Sequence, residues 1–142
     1  MTVPGEDVEA GASYQIHASG SFSTGTTVPS SATFTVFWGG TAGTSIGGLA
    51  VPAAGLWASS SGSAWILNAE INWISTTEAE TSVVLHWHTA SGVSGSVTWH
   101  AVALTTGLST TGNENLSLAF QWGSAPAGTS IVCDIERTGR VA

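Results

Sequence analysis

The densest group of chemically capable side chains is His86-Trp87-His88. Residues i and i+2 of a strand project to one face, so both imidazoles could reach one metal ion, with His100 from a later strand as a third ligand. A cupin-type centre also needs a carboxylate shortly after the His pair, and residues 89–95 contain none. The expectation is a solvated sheet face for His86 and His88, with Val83, Leu85 and Trp87 turned to a core. His86, His88 and His100 remain the candidate ligands, but no metal or other cofactor is expected.

Two carboxylate pairs, Glu78/Glu80 and Asp134/Glu136, raise the question of glycoside hydrolysis. That chemistry needs two carboxyl groups facing each other across a cleft at about 5 Å or about 6.5–9.5 Å, which spacing along one strand does not supply. Glu78 and Glu80 read as part of a turn. Asp134 and Glu136 alternate with Cys133 and Ile135 as solvent-facing charges. Gly39-Gly40-Thr41-Ala42-Gly43-Thr44 is glycine-rich, yet a phosphate loop would need a Lys and a helix after it, and this segment reads as a hairpin loop. No Gly-x-Ser-x-Gly elbow occurs, and Cys133 is the sole cysteine. The chain is expected not to be an enzyme.

Seven Trp residues could instead recognise sugars, because an exposed indole stacks on a sugar face. Trp38, Trp65, Trp73, Trp87 and Trp122 follow the apolar side of alternating segments and are expected in the core. Trp57, beside a Ser-rich loop, and Trp99, next to His100, are the candidates for a ligand or subunit contact.

The elements that must carry these residues are strands. Period-2 alternation marks residues 13–22, 32–38, 44–51, 63–76, 81–89, 95–104, 115–122 and 130–137. The clearest is 63–76, where Trp65, Leu67, Ala69, Ile71 and Trp73 fall on one face and Asn68, Glu70 and Asn72 on the other. Turn clusters separate them, among them Ser23-Thr24-Gly25-Thr26, Ala90-Ser91-Gly92 and Thr111-Gly112-Asn113. About eight strands without a helical pattern give a two-sheet β-sandwich of jelly-roll type, residues 13–142, as a single domain. Residues 1–12, with Glu6, Asp7 and Glu9 as interface candidates, read as an extended acidic arm that could pack on a neighbouring subunit.

Composition removes several partner classes. Of 142 residues only two are Lys or Arg against nine Asp or Glu, a formal charge of −7. Nucleic acid and anionic lipid both demand clustered cations, so neither is an expected partner. No run of about 18 apolar residues and no basic-then-apolar leader occurs, so neither a spanning helix nor a signal peptide is expected.

Tyr14-Gln15-Ile16-His17-Ala18-Ser19-Gly20, then Phe37-Trp38-Gly39-Gly40-Thr41-Ala42-Gly43-Thr44 and Phe120-Gln121-Trp122-Gly123-Ser124, resemble in kind and order the small virion structural domains of tailed phages infecting actinobacteria. The likeness spans most of the chain. It implies a jelly-roll domain, commonly trimeric, that decorates the capsid surface or forms part of the tail, and it carries over no catalytic residue. The expectation is a capsid decoration protein on the virion surface. It would cement the shell as a homotrimer, its partner the major capsid protein or another virion protein. The alternative is a tail-tip or fibre domain that binds a host glycan through Trp57, Trp99 or the His86/His88 face.

Overall fold

Alternating apolar and hydroxyl-bearing side chains leave this chain one economical way to bury its aromatics, as pleated strands stacked in two layers. The computed structural model of the protein describes residues 1–88 and 96–142, apart from the side chains of Ser96 and Ile135. Nine strands occur among the described residues: β1 (Thr2–Val3), β2 (Ser13–Ser23), β3 (Ser31–Trp38), β4 (Thr44–Pro52), β5 (Ser63–Ser75), β6 (Glu78–His88), β7 (Ser96–Thr106), β8 (Glu114–Trp122) and β9 (Ser130–Arg140). All eight expected strands are present. The Ala90–Gly92 turn lies outside the described residues. Glu78 and Glu80, expected in a turn, belong to β6, whose ladder with β5 continues to Ser75↔Glu78 across a bulge.

The strands form two antiparallel sheets, the expected β-sandwich. One has the order β1-β8-β3-β4 and the other β7-β6-β5-β2-β9. β3-β4 is a hairpin and β5-β6-β7 a meander, while the remaining long connections cross between layers. Gly39 and Gly40, at φ of 90° and 76°, turn the β3-β4 hairpin as the glycine-rich loop predicted.

The inward faces interdigitate as the alternation requires. Trp65, Leu67, Ala69, Ile71 and Trp73 of β5 and Val83, Leu85 and Trp87 of β6 are buried against Ala32, Phe34, Val36 and Trp38 of β3. Phe22 stacks on Trp87 with ring centroids 3.9 Å apart, and Trp38 meets Trp73 edge to face at 4.9 Å. Of the five Trp expected in the core, four are buried. Trp122 is half-buried because β8 lies near a sheet edge, where the layer beneath does not cover it fully.

Residues 1–12 do not extend from the domain. Val3 and Thr2 pair with Glu114 and Asn115 of β8, a short 3-10 turn follows at Gly5–Asp7, and Val8 and Ala12 are buried in the same core. The physical reason is apolar content: Val3, Val8 and Ala12 cap one open end of the sandwich, which outweighs repulsion among three exposed or half-exposed acids. That repulsion is also answered locally, because Arg140 lies 3.4 Å from Asp7 and 3.3 Å from Glu9.

Candidate functional site

Charge is distributed unevenly over this fold. At the end holding the N-terminal segment, Asp7 and Glu9 share Arg140, Glu6 is exposed, and the buried Tyr14 donates its hydroxyl to the Asp7 carbonyl at 3.1 Å. Burial raises the Tyr14 pKa, helped by Asp7 and Glu9 and opposed by Arg140. At the far end, the described loop residues 24–30, 53–62 and 123–129 contain no charged side chain. Trp57 stands there, 40% exposed, its carbonyl accepting from the Thr24 hydroxyl.

The outer faces differ in the same way. On the five-stranded sheet the outward positions include His17, Glu70, Glu80, His86, His88, His100 and Arg137. On the four-stranded sheet the outward ladder places Thr33 between Ala50 and Gln121, and Thr35 between Gly48 and Ala119, with no charge on that face.

The histidines are outward, as expected from alternation, and three of them have a separate polar neighbour. His86 Nδ1 is 3.1 Å from the Thr98 hydroxyl, His100 Nε2 is 3.1 Å from the Ser82 hydroxyl, and His17 Nδ1 is 2.6 Å from the Asn68 side-chain oxygen. Among the described residues no three His, Cys, Asp or Glu side chains gather in a way that could hold a metal ion. Trp99 is half-buried against the core, its ring lying on Gly55, so of the two candidate Trp only Trp57 is exposed.

The arrangement that composition did not suggest lies along one long side of the sandwich. There β8 of the upper layer runs over β9 of the lower, and the inward-facing Leu118, Phe120, Trp122 and Ile131 are only half-buried. A groove opens between the layers, lined by Phe34, Trp65, Leu118, Phe120, Ile131, Cys133 and Glu136. Its aromatic floor is ordered, with Phe120 edge-on to Phe34 at 4.9 Å and to Trp122 at 4.8 Å. Sequence alternation gave these residues the same signal as true core. Only the strand order reveals that β8 and β9 have too few neighbours to cover them.

The backbone of β8 makes this seam more specific. Leu116 donates its N–H to the Met1 carbonyl at 2.8 Å and accepts from the Met1 ammonium at 2.9 Å, so its polar groups point to the β1 side. The two-residue period of a strand then directs the N–H and C=O of Leu118, Phe120 and Trp122 out of the same edge. Among the described residues β8 pairs only with β1, over its first residues, and with β3.

No family model, no curated protein and no solved structure matches this chain. The seam, the uncharged sheet face and the exposed Trp57 are therefore what its own geometry offers for function.

Proposed function

We propose that the chain is a non-enzymatic structural protein of a phage virion, a capsid decoration protein that acts as a symmetric oligomer and cements the shell by buried area. The observation that carries this reading is the open seam: half-buried Leu118, Phe120, Trp122 and Ile131 beside an unpaired strand edge are surface that an assembly would cover. The likeness of its Tyr14–Gly20 and Phe37–Thr44 segments to phage virion domains supplies the setting. Nothing in the mechanism requires chemistry. Each contact excludes water from apolar surface, and a standard interface of about 800 Å² per partner, repeated by symmetry, resists internal pressure.

A second reading rests on Trp57. An exposed indole on a pole without charges is a platform for a neutral sugar, and it sits at the end opposite both termini, where a tail-tip domain would present it.

Capsids assembled without the protein decide between the two. The purified chain should co-sediment with them saturably, at a fixed number of copies per shell, and should raise the temperature at which the shells rupture. Protein that stays in the supernatant while binding host cells, with binding lost in Trp57→Ala, would replace decoration by glycan recognition.

A further inference from the structure

Four strand edges border this sandwich: β9 and β4 carry devices against pairing, and β7 lies against β4 on the closed long side. β9 carries a bulge opposite Ser19/Gly20, and Glu136 faces the space between the layers. Both are devices that blunt an edge. β4 is bulged opposite Val36/Phe37 and ends in Pro52. It also closes the other long side against β7, where the Thr105 hydroxyl donates to the Ile46 carbonyl at 3.3 Å and Trp99 lies on Gly55. The β8 edge has none of these features over residues 117–122. Its ladder with β3 is regular from Leu116 to Trp122, and it contains no charge and no proline.

We propose that residues 118–122 of β8 pair antiparallel with the same residues of a second copy, across a two-fold axis midway between the two Phe120 residues, joining two four-stranded sheets into one. The register follows from what is already occupied. A two-fold normal to the sheet keeps every side chain on its own face only when it sets a residue opposite its own copy, the axis lying midway between the two. Centred on Ala119 it would set Trp122 against Leu116, whose polar groups are bonded to Met1. Centred on Gln121 it would leave Leu118 opposite Ser124, beyond the end of the strand. Centred on Phe120 it pairs Phe120 with Phe120 and Leu118 with Trp122 of the second copy. These are the residues whose N–H and C=O groups face outward, so each pair exchanges two backbone hydrogen bonds.

A second copy suits this edge better than a charged partner. The chain carries a formal charge of −7, yet the edge and the sheet face continuous with it are neutral, so copies meet where their repulsion is least. The joined edge continues the ladder that β1 begins at residues 114–116, and it covers the aromatic floor of both seams. The Glu136 side chains of the two copies approach each other beneath it. Added salt should therefore strengthen the dimer, the reverse of an ion-pair interface. Five residues per copy bury less than a standard interface, so the affinity is roughly micromolar or weaker.

Sedimentation velocity of the purified chain, from about 1 μM to about 500 μM, spans that affinity range and reads the pairing without any capsid. The 14.3 kDa monomer should give way to a dimer as concentration rises, and more readily at high salt. Leu118→Glu, which sets a new charge opposite Trp122 and near Glu136, should weaken association at least about tenfold. Glu136→Gln should tighten it, a gain that misfolding cannot mimic. A chain monomeric throughout, a trimer, or a dimer indifferent to both substitutions would overturn the pairing. A dimer with these responses that ignores capsids would leave it standing while removing the virion role.

Discussion

Tyr14 is where a single group links the N-terminal segment to the sandwich. Its ring is buried and its hydroxyl holds the Asp7 carbonyl, with burial the largest cause of its raised pKa. A phenol whose folded pKa lies above its unfolded value keeps its full stabilising contribution below the unfolded value, here 10.0. That contribution is lost as pH rises from there through the folded value. Urea midpoints should accordingly fall above about pH 10, and Tyr14→Phe should flatten this alkaline loss while costing about 1 kcal/mol near neutrality, the worth of one hydrogen bond. An alkaline limb of unchanged steepness in the variant would assign the loss to other groups. Arg140 beside it is a weaker support, since both its ion pairs are exposed, and Arg140→Ala should cost no more than about 1 kcal/mol. At this scale the sequence was informative about parity and poor about cover. Alternation placed His86 and His88 outward and Trp87 inward correctly, but it could not separate Trp122, half-buried at an edge, from Trp65 in the centre of a sheet.

Strands were legible because each carries its own period, and their order was not, because pairing is a non-local property. The residues of 130–137 alternate like those of 32–38, yet among the described residues β3 sits between two neighbours while β9 has only β2. That difference decides which apolar positions become core and which become seam. Gly20 shows how closely β9 is held. A Cβ at this position would run into the Val132 carbonyl oxygen and the Trp65 ring, and that same carbonyl accepts from Trp65 Nε1 at 3.2 Å. Gly20→Ala should therefore cost about 1–3 kcal/mol by overpacking. Hydrogen exchange locates the damage: amides of residues 130–133 should lose protection while those of the β5-β6 hairpin keep theirs. Equal loss in both would mean that β9 is part of one indivisible unit with the centre of the sheet.

For the whole molecule, the N-terminal segment changes what a truncation means. An extended arm could be removed without harm to the domain, and loss of capsid attachment on removal would then identify it as the anchor. Here residues 1–8 bring the buried Val3 and Val8 to one end of the core and cover the start of the β8 edge, while Glu6 and Glu9 remain outside. Two buried Val side chains are worth roughly 1.5–3 kcal/mol each, reduced by the entropy of ordering the segment, so deleting residues 1–8 should cost about 2–5 kcal/mol. The same deletion lengthens the open β8 edge from six residues to nine, so the shortened chain should unfold at lower urea and self-associate more strongly. A truncated chain with an unchanged urea midpoint would show that the segment lies on the domain without supporting it. Attachment through the acidic end is better probed by Glu6→Gln with Glu9→Gln, which keep Val3 and Val8 in place. If this pair of substitutions abolishes capsid binding at full stability, the acidic pole faces the shell and the uncharged pole with Trp57 faces outward.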